Sequence, residues 1–215
     1  MQISEAMKAR QSCRVFKDQA VAQETLENLL SLTCRAPSAI NLQPWQFTVV
    51  RDEEVPRLGK KLTRAYAERG ISCGPDNTQP LPEIYLERQK ELNRVMGPAM
   101  EQAGVDRNFI NTGSLTFYGA PAVVVATLDG AFPPERSLDL GFALGWLLLA
   151  AAELGLDTCP VGLVCSYGDI IKDFLNIDPN RRVVLTVAVG YADPDSPLNQ
   201  VRTPRAPLDE VVRWY

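Results

Sequence analysis

With 215 residues, 46% of them hydrophobic, the chain has the length for one domain with a real core, or for one domain carrying an elaborate insertion. A formal net charge of −4 argues against a nucleic-acid partner, because binding a phosphate backbone draws on a large excess of Lys and Arg. The chain has no histidine, which excludes Ser-His and Cys-His nucleophile schemes and mixed Cys/His zinc sites, so an enzyme of this sequence relies on a cofactor for its chemistry.

In chain order, residues 1–9 carry Glu5 and lack an apolar stretch of signal-peptide length, so a cytoplasmic protein is expected. Ile3, Ala6 and Met7 suggest a short helix ending near Arg10. The pentapeptide Arg10-Gln11-Ser12-Cys13-Arg14 then sets two guanidinium forks and a hydroxyl close together. Planar paired donors match phosphate oxygens, which makes a competent phosphate grip, although two solvated surface arginines would read the same way in isolation. Residues 21–35 are predicted helical from Leu26, Leu29, Leu30 and Cys34, with Pro37 closing the element.

Residues 37–47 join that helix to a strand through small and amide residues between Pro37 and Pro44. Such a constrained loop can offer backbone groups and the Asn41 amide to a flat heteroaromatic edge, or can be an ordinary connection with Trp45 in the core. Strands are predicted at 47–50, 123–127 and 183–189, and helices at 138–156 and 169–175. Residues 53–111 are charged and broken by Gly74-Pro75 and Pro80-Leu81-Pro82. They read as a helical insertion over the core with one helix near 83–102, serving either as a lid or wall or as a solvated decoration. Tyr66, Tyr85, Met96, Met100 and Phe109 are its candidate cleft liners. The uncharged run 140–152 falls short of the roughly 20 residues needed to cross a bilayer, so no membrane partner is expected. The tail, 190–215, is a Pro-rich extended arm with an apolar end at Val211, Val212, Trp214 and Tyr215, a pattern that suggests docking. Five cysteines without a Cys-x-x-Cys pair exclude the usual metal spacing and fit a reducing compartment. Gly-x-Gly-x-x-Gly, P-loop and Gly-x-Ser-x-Gly patterns do not occur.

Arg-x-Ser-x-Arg-x-Phe, a helix, and then Ala-Pro-Ser-Ala-x-Asn-x-Gln-Pro-Trp-x-Phe together resemble the FMN-dependent nitroreductase family. Gly119-Ala120-Pro121, Gly155-Leu156-Asp157-Thr158-Cys159-Pro160, Gly190-Tyr191 and Arg205-Ala206-Pro207-Leu208 follow in the order of that pattern, so the resemblance spans nearly the whole chain. It implies a single α+β domain over 1–215, layered α/β/α, with a mostly antiparallel central sheet, assembled as an intertwined homodimer with FMN at the interface. Arg10, Ser12 and Arg14 match the family's phosphate and ribityl contacts, with Gln11 beside them as a further candidate for cofactor binding. Pro37, Ser38, Ala39 and Asn41 match the loop contributed by the other subunit to the flavin ring. Val161, Gly162 and Leu163 match the turn whose backbone lies near N5, here without the Gln or Glu often found there. Arg205 matches the tail arginine over the phosphate, and Arg202 is a second candidate cation. Gly141, Ala143 and Gly145 would allow close approach of the central helix across the dimer interface.

The resemblance implies an oxidoreductase moving hydride from NADH or NADPH, by ping-pong chemistry, to a small electron-poor acceptor such as a nitroaromatic or quinone. The alternatives on the same fold are a reductive dehalogenase, an enone reductase, a flavin-cleaving enzyme, or a non-catalytic FMN carrier or sensor.

Overall fold

The computed structural model describes residues 2–74 and 76–215. Met1, and Pro75 of the Gly74-Pro75 break, lie outside the described residues. Two helices open the chain, α1 (Ile3–Ala9) and α2 (Gln23–Thr33), followed by strand β1 (Trp45–Arg51). Helices α3 (Glu54–Arg69), α4 (Glu83–Gln102) and α5 (Phe109–Leu115) lead to β2 (Ala122–Asp129). Then come α6 (Ser137–Glu153), β3 (Asp157–Val161), α7 (Gly168–Leu175) and β4 (Arg181–Gly190), with short helices α8 (Pro197–Gln200) and α9 (Leu208–Val211) in the tail.

The four strands form one antiparallel sheet in the order β1-β2-β4-β3. Successive strand residues point to opposite faces, and β2 is apolar at nearly every position because both its faces are covered. Val123 and Val125 face a core with Val55, Leu58 and Leu62 of α3, Leu115 and Ile171. Val124 and Ala126 face a second core with Leu26 and Leu29 of α2 and Leu140, Leu144 and Leu147 of α6. Each such leucine removed from water contributes about 1.5–3 kcal/mol. The molecule is thus an α/β/α sandwich, and among the described residues no helix is long and apolar enough to cross a membrane.

Two features depart from the sequence reading. Residues 53–111 hold more than one helix, because α3 inserts Val55, Leu58, Leu62 and Ala65 into the first core and carries its charges outward. A fourth strand, β3, follows Gly155, and Val161 is its buried last residue rather than part of an open turn. Gly190 ends β4 under close constraint: a Cβ there would lie 2.6 Å from Pro121 Cδ and 2.9 Å from Phe16 Cδ1.

Candidate functional site

The segment after α1 runs beside the start of β3. Ser12 bridges Thr158 in parallel, and the Cys13 N–H donates to Thr158 O at 2.8 Å. Pairing to one end of a rigid sheet sets the direction of each side chain in the pentapeptide. Arg10 and Arg14 flank Ser12 on this paired segment, and all three lie near the Cys159 thiol. Burial pushes that thiol up to about 11, while the Arg14 guanidinium, the Ser12 hydroxyl and the Arg10 guanidinium oppose the rise. Arg14 also lies against Tyr118, whose phenol is raised by burial and eased by Ser114 and Arg14. Among the described residues, Arg14 Nε is the one buried side-chain nitrogen or oxygen without a hydrogen-bond partner. A buried donor left unpaired costs about 1–3 kcal/mol, so its presence points to an acceptor supplied from outside the chain. Arg10 itself borders a groove of about 200 Å³ with Leu148, Ala152, Leu156 and Thr158.

The tail reaches this segment through Asn199, which sequence reasoning missed. Gln11 Nε2 donates to Asn199 O at 2.6 Å, and Arg202 Nη1 donates to the same oxygen at 3.0 Å and to Gln11 Oε1. Arg202 therefore joins the grip. Arg205 does not, since its Nη1 donates to Thr203 O, Thr203 Oγ1 and Pro204 O within its own stretch of tail.

Residues 38–41 form a tight turn with strained backbone. Ile40, Asn41 and Gln43 have φ of 44°, 59° and 47°, in the left-handed region that β-branched residues in particular avoid. Ile40 is 91% exposed, so packing does not hold it there. Hydrogen bonds do: the Gln43 N–H donates to Ser38 Oγ at 2.9 Å, Gln43 Nε2 to Asn41 Oδ1 at 3.0 Å, and the Ala39 N–H to Asp139 Oδ1 at 3.2 Å. Pro37 and Asn41 are exposed. Asp139 belongs to the first turn of α6, whereas Arg10 borders its last turns. The helix between Asp139 and Ala152 is about 20 Å long, so the turn and the grip stand toward opposite ends of α6.

At the other end of β3, the Val161 side chain enters the core and its carbonyl accepts from Thr186 Oγ1 at 3.0 Å. Gly162 is exposed, a Cβ on it would meet nothing within 4 Å, and Leu163 is buried. The N–H groups that begin the following 3-10 turn have no partner within it. A cavity of about 470 Å³ borders Gly162 and Leu163 and is lined also by Ser166, Arg182, Ser72 and Cys73. Residues 53–111 therefore reach this cavity through Ser72, Cys73, Gly74 and Asp76. None of the five liners proposed from sequence, Met100 included, borders this cavity: Met96 is buried, Tyr85 stacks under Arg88, Phe109 packs on Tyr118, and the Tyr66 hydroxyl donates to Asn108 Oδ1 at 3.4 Å.

The chain matches the sequence profile of the nitroreductase family over residues 7–191. It is 31% identical over 213 residues to nitroreductase NfnB of Mycolicibacterium smegmatis, covering 97% of this chain and 90% of the relative. It is 28% identical over 200 residues to a 4-nitrobenzoate reductase of Pseudomonas putida, covering 92% and 88%. The crystal structure of the FMN-dependent nitroreductase NfnB from Mycobacterium smegmatis in complex with NADPH superposes with a TM-score of 0.89 at 30% identity, covering 100% of this chain and 98% of that one. With the profile and the near full-length matches in agreement with the antiparallel sandwich, the chain belongs to the nitroreductase family.

Proposed function

We propose that the chain is an FMN-dependent oxidoreductase that takes reducing equivalents from NADPH or NADH and passes them, by a ping-pong mechanism, to a small electron-poor acceptor such as a nitroaromatic or quinone. The observation that carries this reading is Arg14 Nε, buried and unpaired on the segment that holds Arg10 and Ser12 against the end of the sheet. Such a donor set fits a phosphate and its polar tail. In this reading Arg10, Gln11, Ser12, Arg14 and Arg202 bind the phosphate and ribityl chain, and Arg205 swings from the tail to close over it. Gly162 and Leu163 present backbone N–H groups to the ring, and the missing side chain at Gly162 leaves room for a flat group. When bound, FMN supplies the two-electron chemistry that this chain's side chains lack. The protein's part is to position it, to exclude water, and to admit reductant and acceptor in turn to one cleft.

We further infer a homodimer with the cofactor at its interface. Leu138, Phe142, Trp146 and Leu149 recur along one face of α6, where Leu138, Phe142 and Trp146 are exposed and Gly141 and Gly145 offer open backbone. Beside Trp146 and Leu149 lies a groove of about 660 Å³, bordered also by Ile3 and Met7 of α1. A two-fold axis across this face runs two copies of α6 antiparallel. The 38–41 turn of each copy then comes beside the Arg10 end of the other, which completes the site with Pro37, Ser38, Ala39 and Asn41. Residues 1–215 act as one flavin-binding unit, and five free thiols support a cytoplasmic setting.

Anaerobic reduction tests the reading. The purified protein is expected to be yellow, to release FMN on denaturation, to bleach with NADPH or NADH, and to recover its colour with 4-nitrobenzoate or a quinone. A colourless protein that cannot be reconstituted with FMN overturns it.

A further inference from the structure

Asn199 is 4% exposed and sits where the tail meets the pentapeptide. Its Oδ1 accepts from the N–H groups of Arg14 at 2.8 Å and Val15 at 3.3 Å. Its Nδ2 donates to Val15 O at 2.7 Å and to Asp193 O at 2.8 Å. Its main-chain oxygen accepts from Gln11 Nε2 and Arg202 Nη1. A carboxamide offers two donors and an oxygen with two lone pairs, and here all are used. Aspartate would lack the donors, and an apolar residue would orphan buried backbone groups on both partners.

None of these contacts reaches residues 38–41 or 161–163; apart from those to Val15, which follows the grip directly, and to Asp193, they go to the grip and to Arg202. We propose that Asn199 is a positioning residue for phosphate recognition. It fixes the backbone at Arg14 and Val15 and the side chains of Gln11 and Arg202, so that the grip is ordered before the ligand arrives and binding does not bear the cost of ordering it. The inference rests on the FMN reading above, and its signature is selective: Asn199 governs how well the protein distinguishes FMN from riboflavin, which share a ring and differ by the phosphate.

The test titrates flavin-free wild type, Asn199→Ala and Asn199→Asp with FMN and with riboflavin, following flavin fluorescence, with circular dichroism to verify the fold. Wild type prefers FMN. Asn199→Ala is expected to weaken FMN binding about tenfold or more while riboflavin binding stays within twofold. Asn199→Asp keeps the volume and the acceptor oxygen but turns an oxygen toward Val15 O and Asp193 O. It is expected to lose at least as much FMN affinity, and it reports the same ratio if the alanine variant does not fold. Equal weakening of both flavins, or no weakening of either in a folded variant, overturns the inference. Wild type that binds the two flavins equally overturns the cofactor reading itself, and the inference with it.

Discussion

The Asp139 carboxylate accepts a hydrogen bond from the Ala39 N–H at 3.2 Å, and this contact ties the strained 38–41 turn to the first turn of α6. Asp139 is 4% exposed, with Arg136 Nη1 at 3.4 Å as its only charged partner among the described residues. Asp139→Ala orphans the Ala39 N–H and releases the turn, while the more exposed Arg136 can rehydrate. A loss of about 1–3 kcal/mol is expected in urea unfolding. Asp139→Asn keeps an acceptor and should lose less. Equal stability of the alanine variant and wild type would show that the turn holds itself.

The exposed α6 stripe makes a second prediction. Trp146→Glu places a charge at the centre of the inferred seam without touching the buried face of the helix. Light scattering should give wild type twice the 23.7 kDa chain mass and the variant the mass of one chain, with reduced FMN retention. A variant that remains dimeric would place the seam elsewhere.

Arg69 and Asp169 join α3 to α7 through two parallel hydrogen bonds of 2.9 and 2.6 Å. The Arg69 hydrogen bond holds the Asp169 carboxyl below its ordinary value. A depressed folded-state carboxyl contributes stability that is present above its unfolded value, near 4, and lost as pH falls through the folded value. The Tm difference between wild type and Asp169→Asn should therefore be constant from pH 7 to 5 and shrink below about pH 4. Both side chains are solvent-exposed, so the difference is expected to be small and to fall further with salt. A difference that grows toward low pH would contradict the pairing.

Burial separates the five thiols. It pushes Cys13 and Cys165 up to about 12 and Cys159 to about 11, which leaves almost no thiolate at pH 8. Cys34 and Cys73 are exposed. Ellman's reagent should label at most two thiols rapidly in the native protein and all five once it is unfolded; three or more fast thiols would mean that the first core opens readily.

How much of this was legible depended on whether the signal was local. β2 and α6 are dominated by apolar runs, and the structure places them within a few residues of their predicted bounds. The amphipathic α7 and the helix at Glu83–Gln102 were equally readable. In α3, Val55, Leu58, Leu62 and Ala65 keep helical spacing, but the charges between them and Pro56 made the segment look like surface. β3 is five residues long and contains Pro160, which an edge strand tolerates because one of its sides needs no ladder donor. Arg10, Ser12 and Arg14 could be singled out as a candidate grip because they fall within five residues. Asn199 could not, since its partners at Arg14 and Val15 lie 185 and 184 positions away and nothing in the Pro-rich tail marks it.

The bridge between Ser12 and Thr158 has a consequence apart from catalysis. β3 ends the sheet, and an uncovered final strand is a template on which another chain can pair. The 12–17 segment shields its beginning, through Ser12 and Cys13 against Thr158 and through Phe16 and Lys17 against the residues after β4. The same stretch thus guards the fold against edge-to-edge pairing, and any change that loosens it bares a sticky border; if it also holds the cofactor as proposed, cofactor loss and aggregation should rise together across a mutant series.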